Sequence, residues 1–312
     1  MHTRPEHDAL DEQFATYISE AEEYGVSWWA RNEEPQASRL AHCPGLSEKL
    51  DALARAGTLI QTEQVYRDET CWDSARCEFQ RHLLEHALSG AVAVSENEAG
   101  ASPVCFITLG LPGSGKTRAL RRILTAYLTA MSQPSTTTVC DADELRVQFP
   151  EYASGLGSLI VQKELVRLAY GDSNDPLGDA EPCLLDRVLH ATEPPSSLVV
   201  DTIGSEEHTP PIVRHLSDRG LDVHVLVTRV PVEQAVERAK ERALATGRIV
   251  MPEVVRGAEG RPERALEACL GTGRVAAHVV VDTSDDLTQP PPVVATDASD
   301  TYGPVSAPVA YW

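Results

Sequence analysis

The sequence predicts an α/β fold in which a mainly parallel sheet lies between layers of helices. Short apolar runs alternate with segments whose apolar residues recur at helical spacing, which is the pattern of strands joined by helical crossovers. The first run leads directly into a glycine-rich turn, and a helix follows that turn. The predicted strands are 104–109, 136–140, 198–201, 223–228 and 276–282.

The glycine-rich turn carries the strongest chemical signal in the chain. It reads Gly110-Leu-Pro-Gly-Ser-Gly-Lys-Thr117 and fits G-x-x-x-x-G-K-[ST], the phosphate-binding loop. Glycines let main-chain N–H groups close around phosphate oxygens, and the N-terminus of the next helix favours negative charge. An ordinary glycine-rich turn is the alternative, but the strand before it and the helix after it favour a nucleotide site. The predicted nucleotide-binding residues are Gly110, Leu111, Pro112, Gly113, Ser114, Gly115, Lys116, Thr117 and Arg118.

Two residues of this loop have separate predicted roles. Lys116 is expected to reach the β- and γ-phosphates of a nucleotide, and the Thr117 hydroxyl is expected to bind Mg²⁺. The chain contains 27 lysines and arginines, of which the lysines are Lys49, Lys116, Lys163 and Lys240. A sequence that elsewhere prefers arginine therefore keeps lysine in the loop.

Composition limits the classes of partner. The chain has 312 residues, of which 42% are apolar and 24% are charged, and this composition is typical of a soluble globular protein. Its formal net charge is −20. A charge of this sign repels nucleic acids and anionic membranes, so we expect a small-molecule substrate. The polar N-terminal residues lack the apolar region of a signal peptide, and we expect a cytoplasmic location. The seven cysteines are scattered and predicted to be reduced and mostly buried.

The N-terminal hundred residues are predicted to be helical. Segments 1–30, 46–56 and 73–88 show helical spacing of apolar residues, and Trp28 and Trp29 are expected to fill a core. His82-Leu-Leu-Glu-His86 matches the H-x-x-E-H zinc-protease motif. We favour the alternative of two histidines on a solvated helix edge, since no acidic ligand on a second helix stands out.

Acidic residues follow two of the predicted strands. Asp141 and Asp143 come after the second strand, and Asp201 ends the third in the manner of a Walker B aspartate that faces Mg²⁺. The helix 231–247 then carries Arg242, with Arg248 just beyond it. These arginines either form surface pairs with nearby glutamates or neutralise a transferring phosphoryl group.

These motifs together resemble the zeta-toxin group of P-loop phosphotransferases, relatives of chloramphenicol phosphotransferase. The similarity covers about residues 62 to 283, and the segment 141–150, with its D-x-D and Phe-Pro pair, is its most specific part. The resemblance implies a P-loop kinase-type three-layer fold with a mainly parallel five-stranded sheet and an N-terminal helical extension. It also implies Asp143 as the general base that takes the proton of a substrate hydroxyl. Lys116, Arg242 and Arg248 are implied as the cations that neutralise phosphate charge.

The resemblance weakens at the end of the third strand. The family often reads Glu-Gly-Thr-Gly-Arg there, whereas this chain reads Asp201-Thr-Ile-Gly-Ser205. A shorter carboxylate stands at Asp201, while Ile203 and Ser205 replace a hydroxyl and a cation. These changes reduce the support for the family's nucleotide-sugar substrate.

The expected activity is transfer of the γ-phosphoryl group of ATP, or of GTP, with Mg²⁺, to a hydroxyl of a small metabolite. UDP-N-acetylglucosamine and an antibiotic or biosynthetic intermediate are the candidate acceptors. The alternative is a nucleotide-hydrolysing regulatory module without an acceptor. An antitoxin-like protein and a second copy of the chain both stay open as partners.

Three regions are expected along the chain. Residues 1–100 should form an N-terminal helical extension that packs on the core, and residues 101–283 the phosphotransferase core. The composition changes to Asp, Pro, Ser and Thr from Ser284, so residues 284–312 are expected to be an extended or disordered tail.

Overall fold

The computed structural model describes ten stretches of the chain and divides it into two compact units. The described residues are 9–16, 61–67, 72–92, 103–130, 138–140, 145–153, 157–171, 182–191, 197–284 and 293–296. The first unit comprises residues 1–88, 142–185 and 240–250, and the second unit comprises residues 89–141, 186–239 and 251–312.

The described helices and strands alternate as the sequence pattern predicts. The helices are α1 (9–16), α2 (Thr62–Tyr66), α3 (Ser74–Val92), α4 (Lys116–Ala130), α5 (Gly157–Ile160), α6 (Gln162–Tyr170), α7 (Leu184–Ala191), α8 (Thr209–Asp218), α9 (Val232–Thr246), α10 (Pro252–Gly257) and α11 (Arg261–Leu270). The strands are β1 (Val104–Leu109), β2 (Thr138–Cys140), β3 (Leu198–Thr202), β4 (Asp222–Arg229), β5 (Val275–Asp282) and β6 (Val293–Thr296).

The sheet of the second unit confirms the predicted architecture. Its strand order is β2-β3-β1-β4-β5-β6, and the first five strands are parallel. The sixth strand, β6, pairs antiparallel with β5 and was not among the predicted strands. It lies in the segment after Ser284. The many proline and acidic residues of that segment make the short Val-Val-Ala-Thr run at 293–296 hard to recognise as a strand from the sequence.

Helices cover both faces of this sheet. All six residues of β1 are buried, as expected for a parallel strand between two helical layers. Phe106 on one face joins a core with Ala119 and Ile123 of α4. Leu109, on the opposite face, lies near Ala265 of α11, because both side chains would contact a Cβ at Gly204. Because the side chains of β1 point alternately to the two faces of the sheet, each face packs against its own layer of helices, which gives three layers.

The topology predicts a ligand site beyond the carboxyl ends of β1 and β3. The connection that leaves β1 crosses β3 to reach β2, whereas the connection that leaves β3 crosses β1 to reach β4. Two neighbouring strands thus send the chain in opposite directions, and open α/β sheets bind ligands beyond the carboxyl ends of such strands.

Several local expectations need adjustment. The spacing of apolar residues over 154–170 predicts one helix, but the structure has a break at Val161 that separates α5 from α6. The short helix α10 was not predicted, because its six residues are too few to show periodicity, although Pro252 stands at its start. Helix α1 confirms part of the predicted first helix, and Phe14 is buried there. Residues 46–56, Trp28 and Trp29 lie outside the described residues.

The prediction that the cysteines are reduced and mostly buried agrees with the described residues. Cys105, Cys140, Cys183 and Cys269 are buried and reduced, and burial raises the pKa of Cys269 to about 12. Cys77 is exposed.

Across the described helices, none combines the length and the apolar character that a membrane crossing requires.

The first unit contains a buried ion cluster around Arg76 of α3. Its guanidinium binds Glu164 through Nε at 2.7 Å and Nη2 at 2.8 Å, and Glu151 through Nη1 at 3.0 Å. The Tyr66 hydroxyl donates to Glu151, and the Gln80 amide donates to Glu164. All five side chains are buried. Each carboxylate thus has a neutral donor besides the guanidinium, which is what a buried charge needs.

Electrostatics and aromatic contacts hold Arg76 in its charged form. Burial by itself lowers its pKa, but the carboxylates of Glu164 and Glu151 outweigh burial and leave the pKa above its ordinary value. The guanidinium also lies 4.3 Å from the ring centroid of Tyr66 and 5.2 Å from that of Phe149. The cluster therefore joins helices of the N-terminal segment to residues 149–164.

Replacing Arg76 tests this cluster. Arg76→Met keeps the length of the side chain but leaves two buried carboxylates without their cation, so it should lower the free energy of unfolding by about 3 to 5 kcal/mol. Arg81→Met is the matched control on the same helix, because Arg81 is exposed and meets Glu78 only at 3.6 Å. Urea titration should show a large loss for the first variant and a change within about 1 kcal/mol for the second. Equal stability of the two variants would contradict the cluster's role.

Candidate phosphate-binding site

The loop between β1 and α4 is fastened at both ends by its main chain. The N–H of Gly110 donates to the carbonyl of Ile203 beyond β3 at 3.2 Å. The N–H groups of Arg118 and Ala119 donate to the carbonyl of Gly115 at 3.1 and 3.0 Å. The loop is therefore tied to the neighbouring strand and leads without a break into the first turn of α4.

Two glycines make the close packing of this loop possible. Gly113 has a φ of +83°, and a Cβ there would overlap the carbonyl oxygen of Ala235 in α9. A Cβ on Gly110 would overlap the hydroxyl of Thr228 at the end of β4. Side chains at either position would push the loop off its supports. The structure thus explains why the motif needs glycine at these two positions.

Lys116 spans the loop that it follows. Its Nζ donates to the carbonyl of Gly110 at 3.0 Å and to that of Leu111 at 3.3 Å, and the side chain is partly buried. Thr117 is exposed at the second position of α4, and Arg118 is partly buried beside it. A lysine ammonium thus lies at the loop where a helix N-terminus already favours an anion.

Asp201 lies beside the strand that leads into the loop. It is the register partner of Thr108, in the parallel pair of β1 and β3, and it is half-buried. The Thr108 hydroxyl donates to Asp201 Oδ1, and Thr108 itself is fully buried. A hydrogen bond away from water holds the carboxylate in one orientation. The oxygen atoms of Asp201 and Thr117 are of the type that Mg²⁺ prefers, so this pair fits the predicted metal role.

The other predicted site residues belong to the first unit. Asp143 lies outside the described residues. Arg242 is half-buried on α9, and Arg248 is half-buried just after that helix ends. The Tyr152 hydroxyl donates to the carbonyl of Thr246 at 3.1 Å, and the N–H of Ile249 donates to Ser158 Oγ at 2.9 Å. The chain around both arginines is therefore bound to Tyr152 and Ser158, which come after the D-x-D segment in the sequence.

The H-x-x-E-H pattern lies on an exposed face of α3. His82 and His86 are both exposed, and His82 lies 3.6 Å from each of Glu78 and Glu85. Among the residues with described positions, no three His, Cys, Asp or Glu side chains are grouped to hold a metal ion. The solvated-edge interpretation of these histidines agrees with their exposure.

Sequence reasoning missed three threonines that support the loop. Thr108 bonds Asp201, Thr228 bonds Ser114 Oγ at 2.6 Å, and Thr283 donates to the Ser114 carbonyl at 2.7 Å. Each lies within the last two residues of a buried apolar strand or directly after it. A hydroxyl at the carboxyl end of an apolar strand was the available signal, and it is too common by itself to distinguish these positions.

The fold and the loop together define the class of the protein. A parallel sheet in the order β2-β3-β1-β4-β5, with G-x-x-x-x-G-K-T directly after β1, is a P-loop kinase-type fold. The family model described as Zeta toxin matches residues 91–288, which is more than half of the chain. The chain belongs to the zeta toxin family.

Two solved structures with TM-scores above 0.5 share this fold. The AvrRxo1-ORF1:AvrRxo1-ORF2 complex with sulphate ions is 17% identical, with a TM-score of 0.53 over 76% of this chain and 76% of that chain. The form of that complex with ATP gives the same identity, TM-score and coverage. The PezAT toxin-antitoxin system of Streptococcus pneumoniae is 14% identical, with a TM-score of 0.49 over 73% of this chain and 84% of that chain. The comparison with curated proteins gave no match.

Substitution of Gly113 tests the packing of the loop. Gly113→Ala forces a side chain into positive φ and against the main chain of α9, so it should lower ATP affinity by about tenfold or more and reduce stability. Gly220→Ala is the matched control, since Gly220 has a φ of +85° but no atom lies within 4 Å of its added Cβ. It should cost about 1 to 2 kcal/mol of backbone strain and leave ATP affinity unchanged. Calorimetric titration and urea unfolding separate the two effects; a Gly113→Ala variant with wild-type affinity would contradict the packing argument.

Proposed function

We propose that this chain is an ATP-dependent phosphotransferase that moves a γ-phosphoryl group to a hydroxyl of a small molecule. The observation that carries the proposal is the geometry of the loop 110–117. Its main chain packs closely against α9 at Gly113, and the Lys116 ammonium donates to two of its carbonyls. Membership of the zeta toxin family supports it. The solved complex with ATP shares the fold, and ATP rather than GTP is therefore our first choice of donor.

The second unit would bind the nucleotide. Main-chain N–H groups of the loop would hold the phosphates, and Lys116 would exchange its carbonyl partners for phosphate oxygens. Thr117 and Asp201 would hold Mg²⁺, which supplies positive charge to the phosphate oxygens when bound. Thr108 keeps the Asp201 carboxylate oriented for this role, because its hydroxyl is buried and donates to Oδ1.

The three other predicted catalytic residues, Asp143, Arg242 and Arg248, would supply the remaining chemistry. The family resemblance implies Asp143 as the base that accepts the proton of the acceptor hydroxyl. It implies Arg242 and Arg248 as cations that stabilise the phosphoryl group in flight. The binding of residues 246–249 to Tyr152 and Ser158 supports this assignment, because it places the arginine-bearing segment on the one that follows Asp143.

The turn at Ser205 bears on the choice of acceptor. The hydroxyl of Ser205 accepts the N–H groups of Glu207 and His208 at 3.2 and 3.4 Å and bonds the His208 ring at 3.1 Å. Ser205 thus closes the turn before α8, where the family often has an arginine. This loss of a cation supports an acceptor with less negative charge than UDP-N-acetylglucosamine, such as an antibiotic or a biosynthetic intermediate.

A screen for the phosphorylated product tests the activity. The purified chain with ATP and Mg²⁺ should release ADP and produce a mass increase of one HPO₃ when given the right alcohol. UDP-N-acetylglucosamine and a pool of cell metabolites are the acceptors to be tested. Lys116→Ala should reduce the rate by ~10³-fold or more, because it removes a phosphate-binding cation. Lys163→Ala is the control, since Lys163 is exposed on α6. ADP release that needs no acceptor would favour the nucleotide-hydrolysing module instead.

Substitution of the predicted base separates chemistry from binding. Asp143→Asn keeps the size of the side chain but removes its proton-accepting charge, so turnover should fall by ~10²-fold or more while ATP affinity stays unchanged. Single-turnover kinetics measures the rate of transfer, and calorimetric titration measures the affinity. Asp186→Asn is a suitable control, because Asp186 pairs with His215 on the surface of α7. A variant of Asp143 with most of its turnover would show that another group takes the proton.

A further inference from the structure

Two hydroxyl groups support the loop from the ends of β4 and β5. Thr283, directly after β5, is almost fully buried, and its hydroxyl lies 2.7 Å from the Ser114 carbonyl and 2.9 Å from the Arg229 carbonyl. The hydroxyls of Thr228 and Ser114 lie 2.6 Å apart. The carbonyl and the side chain of one loop residue, Ser114, are therefore each held by a different strand end.

The bond to the Ser114 carbonyl also sets the direction of the next N–H. Ser114 C=O and Gly115 N–H belong to one planar trans peptide, in which the two groups point in opposite directions. Since the carbonyl is held towards Thr283, the Gly115 N–H points away from β5. It is one of the loop amides that a phosphate-binding loop turns to its anion.

Glycine makes this peptide plane easy to invert. Gly115 has a φ of +77°, and glycine adopts positive and negative φ with similar ease. Rotation of the plane between Ser114 and Gly115 would exchange the N–H for a carbonyl oxygen, which repels a phosphate. A residue that holds the Ser114 carbonyl would therefore decide which of the two groups meets the anion.

We infer that Thr283 is a positioning residue of the phosphate loop. Its hydroxyl holds the peptide between Ser114 and Gly115 in the orientation that presents the Gly115 N–H to a nucleotide phosphate, and Thr228 holds the Ser114 side chain beside it. The inference rests on the proposed nucleotide-binding function. It assigns to a residue outside the loop motif the role of keeping the loop able to bind phosphate.

The support beneath Thr283 is itself fixed. Its N–H donates to the carbonyl of Arg229 at 2.8 Å. The hydroxyl and the N–H of Ser284 donate to the Asp282 carboxylate, and these bonds lower the pKa of that carboxyl. Gln234 of α9 donates to the Ser284 carbonyl at 2.8 Å. A hydroxyl on so constrained a turn can hold a peptide plane, which a mobile one could not.

Removal of the hydroxyl at constant volume tests the inference. Thr283→Val should weaken binding of ATP, ADP and inorganic pyrophosphate by about tenfold, because part of the population inverts the peptide. Thr283→Ser restores the donor and should return the affinity to within about twofold of wild type. Thr283→Ala, which cannot overpack the site, repeats the deletion. Thr272→Val is the matched control, since the Thr272 hydroxyl donates to the Cys269 carbonyl at the end of α11.

Three measurements separate a positioning role from a general loss of stability. Urea unfolding measures the loss of stability of each variant, whereas calorimetric titration should show weaker ATP binding only for Thr283→Val. In ¹H–¹⁵N spectra, pyrophosphate should shift the Gly115 amide strongly in the wild type and in Thr283→Ser, and weakly in Thr283→Val.

The outcomes also distinguish this inference from the proposed function. Wild-type ATP affinity in folded Thr283→Val and Thr283→Ala would overturn the role of Thr283 while the phosphotransferase proposal stands. A wild-type chain that binds neither ATP nor pyrophosphate would overturn the proposed function and this inference with it. Weaker binding in both deletions, rescue by serine and no effect in Thr272→Val would establish the positioning role.

Discussion

The structure depends on close contact between the main chain of one loop and the elements that surround it. Gly110 lies against the hydroxyl of Thr228, and Gly113 lies against the carbonyl of Ala235. No side chain larger than hydrogen fits at either position. Because the loop sits so tightly on β4 and α9, its amides have a fixed arrangement before any phosphate arrives. Preorganisation of this kind is what electrostatic stabilisation of a charged group requires, since the donors then need no rearrangement on binding.

Strand ends supply most of the polar support around that loop. Thr108, Thr228 and Thr283 each place a buried hydroxyl near the carboxyl end of a parallel strand, and each donates to, or bonds, a group of the site. Hydrogen bonds away from water are electrostatically stronger than exposed ones. The same edge of the sheet is where the topology predicts a ligand. The apolar residues of the strands therefore form the core of the sheet, while the hydroxyls at the strand ends support the site.

The first unit contains a cluster of buried charges. Arg76 joins Glu151 and Glu164 in a buried cluster, although residues 1–90 lie outside the matched family region. The N-terminal helices thus contribute Arg76, Tyr66 and Gln80 to a cluster whose carboxylates come from the matched family region. Further bonds from Tyr152 and Ser158 hold the chain that carries Arg248. This unit is therefore one folded body built from three separate stretches of sequence.

The sequence by itself determined the class of fold and the phosphate loop, because both depend on local patterns. Five parallel strands, the helices between them and the glycines of the loop all follow from spacing and residue type along the chain. Strand β6 escaped prediction because four residues in a proline-rich tail have no local signature. The partners of Arg76, and the threonines behind the loop, were decided by tertiary structure alone. Thr283 and Ser114 are 169 positions apart, and no local pattern records which hydroxyl will meet which carbonyl.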